Sequence, residues 1–331
     1  MTPVFQLFAD GIDVTAGIND RLLSLMVKDA AGQESDTLTL ELDDRDGVIA
    51  IPRVGAKLTC WLGYRETSLM PMGLFTVDDV SSKGGNQGQT LAVSARAADM
   101  LANLKERRDK HWDGKTLSTI LGEEAAEHGL AAVISPELAG FRYDYLAKTG
   151  EPLLHFGTRL ARRHDATFKI AGGKLLFVKR GAGRSASGLA LPPIAITRPG
   201  NLLEWDVKPK LGRPSYGIAA ASWYDRERAQ LIQEKASGSD GPAYRSRGLS
   251  QNKGEAASEA QSRKDELGRQ QAGGSFTITG DAAAVAESLV SVTGVREGVD
   301  GTWLTDSVTH ELSARGFTTT IEVKSSKGSS S

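Results

Sequence analysis

Apolar and polar residues alternate along much of the first hundred positions, and this pattern predicts β-strands. Residues 38–43 run Leu-Thr-Leu-Glu-Leu-Asp, the two-residue period of a strand with one buried face. Residues 58–64, 74–80 and 91–95 are further strand candidates, separated by stretches that contain glycine or proline. Two-faced strands joined by short turns are typical of a sandwich or barrel, and not of alternating strand–helix units.

The period becomes helical near residue 100. A short helix is predicted over 97–104, and a longer one begins after Thr116, where Leu117, Ile120 and Leu121 recur at helical spacing. Another helix is predicted over 152–164, followed by a hairpin over 168–178 that turns at Gly172-Gly173. Residues 101–180 are therefore expected to form a compact α+β unit.

Strand patterns return after a small-residue, basic linker at 181–188. The strand candidates here are 194–196, 202–207, 216–224, 276–279, 289–292, 303–312 and 317–323. The segment 234–274 is polar, and a helix within it at 255–271 is expected to be solvated because its apolar face is thin.

The predicted fold is therefore mainly β with an α+β insertion. Its expected parts are a first β-barrel domain over 1–100, the inserted domain over 101–180, and a second β-barrel domain over 181–323 that contains the polar segment. A flexible Ser/Lys-rich tail is expected over 324–331.

Composition removes several classes of protein. The chain has 331 residues, with 40 Lys+Arg against 41 Asp+Glu, and this balance argues against a purely electrostatic nucleic-acid binder. The single cysteine, Cys60, excludes an internal disulfide and a Cys-pair zinc site, and it fits a reducing compartment. The first basic residue is Arg21, so no signal peptide is expected, and no apolar run approaches the ~18 residues of a membrane helix.

Each motif that could carry chemistry is incomplete. Residues 43–47 resemble a calcium loop, but its first and twelfth positions would be Leu42 and Arg53, which are not carboxylates. Residues 181–186 resemble a dinucleotide fingerprint but run into Pro192-Pro193 instead of a helix.

Other candidate sites also lack parts. The five histidines, at 111, 128, 155, 164 and 310, form no His-Glu-x-x-His motif, and no Gly-x-Ser-x-Gly elbow occurs. The basic clusters at 105–110 and 159–163 lack interleaved aromatic residues for base stacking. We therefore predict no catalytic, cofactor or metal site and no specific nucleic-acid partner.

The C-terminal segment resembles a known family. GVDGTWL at 298–304, VTHEL at 308–312 and GFTTTIE at 316–322 closely resemble the end of phage late control D proteins. These are the central baseplate hub proteins of contractile tails, related to the hub part of VgrG spikes and to tailocin hubs. Earlier segments fit the family in order: the alternation at 38–44, IPxxG at 51–55, LGY at 62–64, GxFxVD at 73–78, AxAAD at 95–99 and TGEP at 149–152. The polar segment 234–274 departs from the family pattern.

The resemblance implies a homotrimer around an axial channel. Each chain would carry two tail-tube-like barrels, so that three chains present six barrels to the tail tube and meet a three-fold spike. Implied partners are the central spike protein, the tail tube or a tube-initiator protein, baseplate wedge proteins and the tape measure protein, with no stable membrane insertion. The implied location is the baseplate of a virion or tail-like particle assembled in the host cytoplasm. Thr39, Glu41, Thr318 and Thr320 alternate with core positions and are candidates for the channel wall or the outer face.

Two other functions stay open at this point. One is a cell-wall-degrading hydrolase of the tail tip, which would need two carboxylates beside a glycan cleft. The other is a hexameric tail-tube or sheath subunit, which the number of copies would distinguish.

Five residues of the C-terminal segment form a predicted structural signature. Gly301 is expected in a tight turn after Asp300, and Gly316 and Phe317 in the turn of the last hairpin. Trp303 is expected inside a barrel with its ring N–H bonded, and His310 in the core or a strand ladder and not at a metal.

Overall fold

A computed structural model describes residues 1–31, 35–85, 88–97, 104, 106–171, 173–181, 183, 190–209, 216–236 and 242–326. Its strands are β1 (Pro3–Ala9), β2 (Ile12–Asp13), β3 (Leu22–Ala30), β4 (Thr37–Asp43), β5 (Lys57–Tyr64), β6 (Met70–Gly85), β7 (Gly88–Arg96), β8 (Arg108–Thr116), β9 (Ala131–Ile134), β10 (Arg142–Glu151), β11 (Ala166–Ala171), β12 (Lys174–Lys179), β13 (Ile194–Thr197), β14 (Leu202–Lys208), β15 (Ile218–Asp225), β16 (Gln230–Ala236), β17 (Ala243–Ser250), β18 (Gly273–Thr279), β19 (Leu289–Thr293), β20 (Gly301–Ser313) and β21 (Gly316–Ser325). Its helices are α1 (Thr15–Ile18), α2 (Leu117–Glu127), α3 (Pro136–Ala139), α4 (Leu153–His164) and α5 (Lys253–Arg269).

One large sheet contains the N-terminal and the C-terminal β-rich segments together. Its order is β14-β18-β21-β20-β3-β4-β7-β6-β5-β1-β2, and β19 adds to β20 and carries β13. The antiparallel pair β3–β20 places Ser24 opposite Ser313 and Ala30 opposite Ser307. We call this pair the seam, because it joins strands that are almost 300 positions apart in the chain.

The mainly β class with an α+β insertion is confirmed. Among the described strands the pairing path runs from β14 to β2 without returning on itself. The two β-rich segments thus form one continuous sheet through the seam. A barrel confined to residues 1–100 would have to pair the edge of β3 with one of its own strands, whereas here β20 pairs with that edge. The division into domains stays a prediction.

Two apolar cores lie against this sheet. The first gathers residues 5–95 and includes Leu38, Leu40 and Leu42, which confirms the alternation seen in the sequence. Leu312 and Phe317 from the far side of the seam also pack into it. The second core belongs to residues 194–323 and includes Phe276, Trp303 and Ile321.

The α+β unit has a core of its own. Strands β8 and β10 pair with each other, and β9, β12 and β11 form a second small sheet beside α2 and α4. Thr116 caps α2 by accepting a hydrogen bond from the Thr119 main-chain N–H, as the sequence indicates. Most of the short helix predicted over 97–104 lies outside the described residues. So does most of the predicted 181–188 linker.

The described residues of the polar segment 234–274 pack against other parts of the chain. Helix α5 packs on a three-stranded sheet in the order β16-β15-β17, where Ala256 and Ala260 are buried with Ala221 and Ala236. Alanines give so thin an apolar stripe that the sequence predicts an exposed helix, but they allow close approach to the sheet. The expectation of a solvated helix is therefore wrong.

Ion pairs complete the attachment of α5 to the α+β unit. Glu255 of α5 forms an ion pair with Arg163 of α4, with 2.5 Å between the guanidinium nitrogen and the carboxylate oxygen. Arg269 donates two hydrogen bonds to Asp165, one of them 2.9 Å long. Asp165 and Arg269 are buried.

No described helix is at once long and apolar enough to cross a membrane.

The last strand extends beyond its predicted end. Lys324 lies opposite Gly273 of β18, and Ser325 lies opposite Trp303 of β20. We expected both residues at the start of the tail because their side chains are polar. Main-chain pairing on two sides keeps them in the sheet instead, and residues 327–331 lie outside the described part.

Candidate functional site

The β20–β21 hairpin contains all five predicted signature residues, of which Gly301 and Trp303 lie beyond the part of β20 that pairs with β3. Gly301 opens β20 with φ of 132°, and Gly316 opens β21 with φ of 109°, conformations that favour glycine. Ser313 lies opposite Gly316, so that Ala314 and Arg315 form the two-residue turn. Both glycines therefore stand at the ends of strands, where the chain reverses.

Trp303 fixes the start of this hairpin inside the second core. Its indole Nε1–H donates to the main-chain oxygen of Val299 at 2.9 Å, and its ring meets Phe276 with centroids 6.4 Å apart. The buried indole thus has the partner that its N–H requires.

His310 is a buried structural residue within the described contacts. Its Nε2 lies 3.2 Å from the main-chain oxygen of Ala284, and its Nδ1 lies 3.1 Å from Oγ1 of Thr319. Burial lowers the pKa of His310, so the ring is neutral at pH 7. Since a carbonyl oxygen only accepts, Nε2 carries the proton and Nδ1 accepts from the threonine hydroxyl.

Phe317 connects the two halves of the sheet. Its ring lies 5.6 Å from that of Tyr64 and 6.1 Å from that of His310. The Tyr64 hydroxyl donates to the main-chain oxygen of Gly280 at 3.0 Å, a second link from β5 to the C-terminal segment. Phe317 and Tyr64 thus link the two sides of the seam, while Trp303 packs in the second core.

The face of the sheet opposite the cores is polar across the seam. Thr39 lies opposite Met26, Met26 opposite Glu311, and Glu311 opposite Thr318, which makes one row over four strands. The next row joins Thr320 to Thr309, and the Thr320 hydroxyl lies 3.1 Å from that of Thr277 on β18.

We call this surface the seam face. Its members are Ser24, Met26, Lys28, Thr37, Thr39, Glu41, Thr309, Glu311, Ser313, Thr318 and Thr320. All are exposed or half-buried, while the residues between them are buried. The structure thus brings the four predicted channel candidates, Thr39, Glu41, Thr318 and Thr320, onto one surface.

A half-buried charge cluster ties the α+β unit to the seam. Lys169 of β11 places its Nζ 3.0 Å from Oδ1 of Asp29 and 2.6 Å from Oδ1 of Asp36. The other oxygen of Asp29 accepts the main-chain N–H of Ala286 at 2.8 Å, so three parts of the chain meet here. An isolated lysine in a strand and an aspartate in a loop form no periodic pattern, so sequence reasoning missed this cluster.

The two carboxylates of the cluster differ in acidity. Burial and then the charge of Asp29 raise the pKa of Asp36 to about 6. Burial also opposes the charged form of Asp29, but Lys169 and the Ala286 N–H outweigh it and lower the Asp29 pKa. For Lys169, the two carboxylates outweigh burial and raise the pKa.

The partial motifs are occupied by structural contacts. Asp46 forms two hydrogen bonds of 2.6 Å with Arg21, and Asp44 accepts the Ile49 main-chain N–H, so the calcium-like turn is closed by its own neighbourhood. His164 is buried 2.5 Å from the Tyr143 hydroxyl, and burial lowers its pKa to about 3. Within the described residues, no three His, Cys, Asp or Glu side chains gather where they could hold a metal ion.

The chain is similar to known proteins in sequence and in structure. No family model matches the chain. The probable baseplate hub protein of Escherichia phage P2 is 31% identical over 366 aligned positions, covering 98% of this chain and 93% of the relative. The 43 kDa tail protein of prophage MuSo2 from Shewanella oneidensis matches in structure with a TM-score of 0.71 at 16% identity, over 96% of this chain and 97% of that one.

A type VI secretion component of Escherichia coli, described as similar in structure to phage T4 tail proteins, matches with a TM-score of 0.57 at 12% identity, over 93% of this chain and 74% of that one. These two structures share the fold, and the phage P2 relative shares both sequence and length. The chain therefore belongs to the family of phage baseplate hub proteins.

Proposed function

We propose that this hub protein is a trimeric symmetry adaptor, in which three copies join a six-fold tail tube to a three-fold central spike. The observation that carries the proposal is the seam. It holds two β-rich segments, each with its own core, side by side in one sheet, so that three chains would present six such segments.

The seam face supports an axial channel within that trimer. It is continuous across both β-rich segments and is built mainly from serine and threonine, with Glu41, Glu311, Lys28 and the exposed Met26 among them. A polar wall of small side chains suits a passage for protein or DNA, because it offers water-like contacts without strong attraction to either charge.

The edges of the large sheet favour assembly into a ring. Its pairing path ends at β14 on one side and at β1 and β2 on the other. On β14, Leu203 and Trp205 are 52% and 37% exposed. Edge strands with exposed apolar residues promote association, and a closed ring of copies covers both edges at once.

The proposed partners are the central spike, the tail tube or its initiator, baseplate wedge proteins and the tape measure protein, with assembly in the host cytoplasm. We propose a structural and not an enzymatic role, and two tube-like domains bounded near residues 100 and 181. Both proposals follow from family membership together with the cores described above.

Native mass spectrometry of the full chain, alone and mixed with the spike of the same particle, tests the trimer. We expect three copies, and end-on electron micrographs should show three-fold particles with a central hole. Six copies in the assembled baseplate would refute the adaptor and favour a tube subunit. A chain that stays monomeric with its spike would also refute it.

A further inference from the structure

We propose that the small sheet β15–β17 carries a docking face for a protein segment whose apolar side chains are flanked by carboxylates. The face is the side of this sheet away from α5. We call it the insertion face, because this sheet lies in the chain between β14 and β18, which pair with each other; it is not part of the α+β insertion over 101–180. It lies on a different sheet from the seam face, and the inference goes beyond the adaptor function.

Strand register separates the two sides of this sheet. Ala221 and Ala236 pack with Ala256 and Ala260 of α5 on one side. Side chains alternate along a strand, so Ala220, Ser222 and Tyr224 of β15 lie on the other side. Their cross-strand partners on β16 are Lys235, Gln233 and Leu231, and those of Ala220 and Ser222 on β17 are Arg245 and Leu249.

One part of the insertion face is apolar and open. Tyr224, Leu231 and Leu249 are 48%, 58% and 65% exposed, and Tyr224 lies directly opposite Leu231. Scattered exposed apolar residues are ordinary, but three on adjoining strands of one small sheet form a patch. Such a patch, bordered by polar residues, marks an interaction site.

The other part of the face is cationic. Lys235 and Arg245 are exposed on either side of Ala220, and Arg247 is exposed nearby on β17. The carboxylates of β15 and β16 have roles away from the face. Glu234 accepts the indole N–H of Trp223 at 3.1 Å on the α5 side, and Asp225 accepts two main-chain N–H groups in the following turn.

Charge complementarity identifies the occupant. A partner that covers leucine and tyrosine while meeting lysine and arginine must itself carry apolar groups beside acidic ones. A nucleic acid would satisfy the cations but leave Leu231 and Leu249 without contacts. The described face also offers only Tyr224 for stacking.

Defined peptides test the proposal with the full chain. The probes are three labelled peptides of equal length: alternating Leu and Glu, alternating Leu and Lys, and alternating Ser and Glu. By fluorescence anisotropy we expect the Leu/Glu peptide to bind at least about ten-fold more tightly than the other two. The double variant Lys235→Glu/Arg245→Glu should bind the Leu/Lys peptide more tightly than the Leu/Glu peptide, the reverse of the unmodified chain.

Matched variants distinguish the loss of the insertion face from a general loss of the fold. Leu231→Ser/Leu249→Ser should weaken the Leu/Glu peptide by about ten-fold or more. Gln230→Ser, on the same strand but opposite Asp225 on the α5 side, should leave its affinity unchanged. Equal binding by all variants, no binding of the Leu/Glu peptide, or tighter binding of a DNA oligonucleotide or of phosphatidylglycerol vesicles would overturn the proposal.

The natural occupant can be identified in the assembled particle. A photo-crosslinking residue in place of Leu231 should link to a segment rich in apolar residues and Asp or Glu, while one in place of Gln230 should not. No crosslink, or a crosslink to a basic segment, would also overturn the proposal. The crosslinking result does not depend on the number of hub copies, so the docking proposal can be refuted while the trimer proposal is retained.

Discussion

The Asp29–Lys169–Asp36 cluster predicts opposite effects for two isosteric substitutions that face the same lysine. Asp36→Asn should stabilise the protein at pH 8, and Asp29→Asn should destabilise it. In Asp36→Asn one amide oxygen can still accept both N–H groups that Oδ1 of Asp36 accepts, from Lys169 and from the Ala30 main chain, so the charge is the main change. Asp29→Asn removes the charge and also one of the two oxygens that accept Lys169 and the Ala286 N–H. The two outcomes differ because burial raises the pKa of Asp36 to about 6, whereas Lys169 and the Ala286 N–H lower that of Asp29.

The magnitude for Asp36 follows from linkage. Its ordinary pKa is 3.8, and a folded value of about 6 means that the folded state holds this proton more tightly than the unfolded state. The charged form therefore costs stability above pH 6, by about 3 kcal/mol at most, and that cost shrinks as the pH falls. At pH 4 it is under about 1 kcal/mol.

The expected gain from Asp36→Asn is thus about 2–3 kcal/mol at pH 8 and under about 1 kcal/mol at pH 4. Asp29 has the opposite sign, because a lowered pKa adds stability that is present above its ordinary value of 3.8 and is lost below it. Asp29→Asn should cost about 1–3 kcal/mol at pH 8.

Urea unfolding at pH 4 and pH 8, followed by tryptophan fluorescence, measures both effects as shifts in midpoint. Asp20→Asn, at an exposed position of the first β-rich segment, is the control and should move neither midpoint. The reasoning fails if Asp36→Asn destabilises the protein at pH 8, if its effect is equal at both pH values, or if Asp29→Asn is neutral.

Three further outcomes test the seam and its hairpin. Trp303→Phe removes the indole hydrogen bond and should cost about 1–2 kcal/mol in unfolding free energy, whereas Trp205→Phe on the exposed edge should cost less than about 0.5 kcal/mol. Ending the chain at Val323 removes the 2.6 Å Lys324–Asp306 ion pair and the last strand pairs, and it should lower Tm by a few degrees, while ending it at Ser326 should not. In Thr39→Cys the new thiol should react with maleimide in the free chain and be protected in the assembled particle, with little background because Cys60 is buried and its pKa is raised to about 12.

Local periodicity predicted many of the strands and helices, because each of these buries one face against a nearby core. It did not predict β1, β3, β8, β10, β16 or β17. The alternation at residues 38–43 and the helix ending at His164 depend on neighbours in the same segment. Trp303 and His310 are both buried and both have hydrogen-bond partners, which a buried indole and a buried imidazole require.

The connections between segments could not be predicted in the same way. The seam pairs β3 with β20, and nothing in the alternation of either strand specifies its partner. Both strands alternate, so more than one register satisfies burial. The Tyr64–Phe317 contact, between β5 and β21, is likewise a pairing of distant residues that neither local pattern specifies. The packing of α5 was missed because alanine, though small enough for close approach, contributes a weak apolar signal.

Directional polar contacts join the segments of this chain, in addition to the packing of Leu312 and Phe317 into the first core, and each segment has an apolar core. Lys169 joins the α+β unit to β3, Arg269 joins α5 to Asp165, and Glu287 accepts the Thr167 hydroxyl at 2.7 Å. Apolar contacts alone tolerate sliding, whereas paired charges and hydrogen bonds fix distance and angle, and they lose most when a partner is removed. A hub that matches one symmetry to another must hold its β-rich segments in fixed relative positions. If the chain is the proposed adaptor, the half-buried charge cluster at the seam holds part of that geometry. We therefore expect a single change at Lys169 to disturb assembly more than an equally destabilising change inside one core.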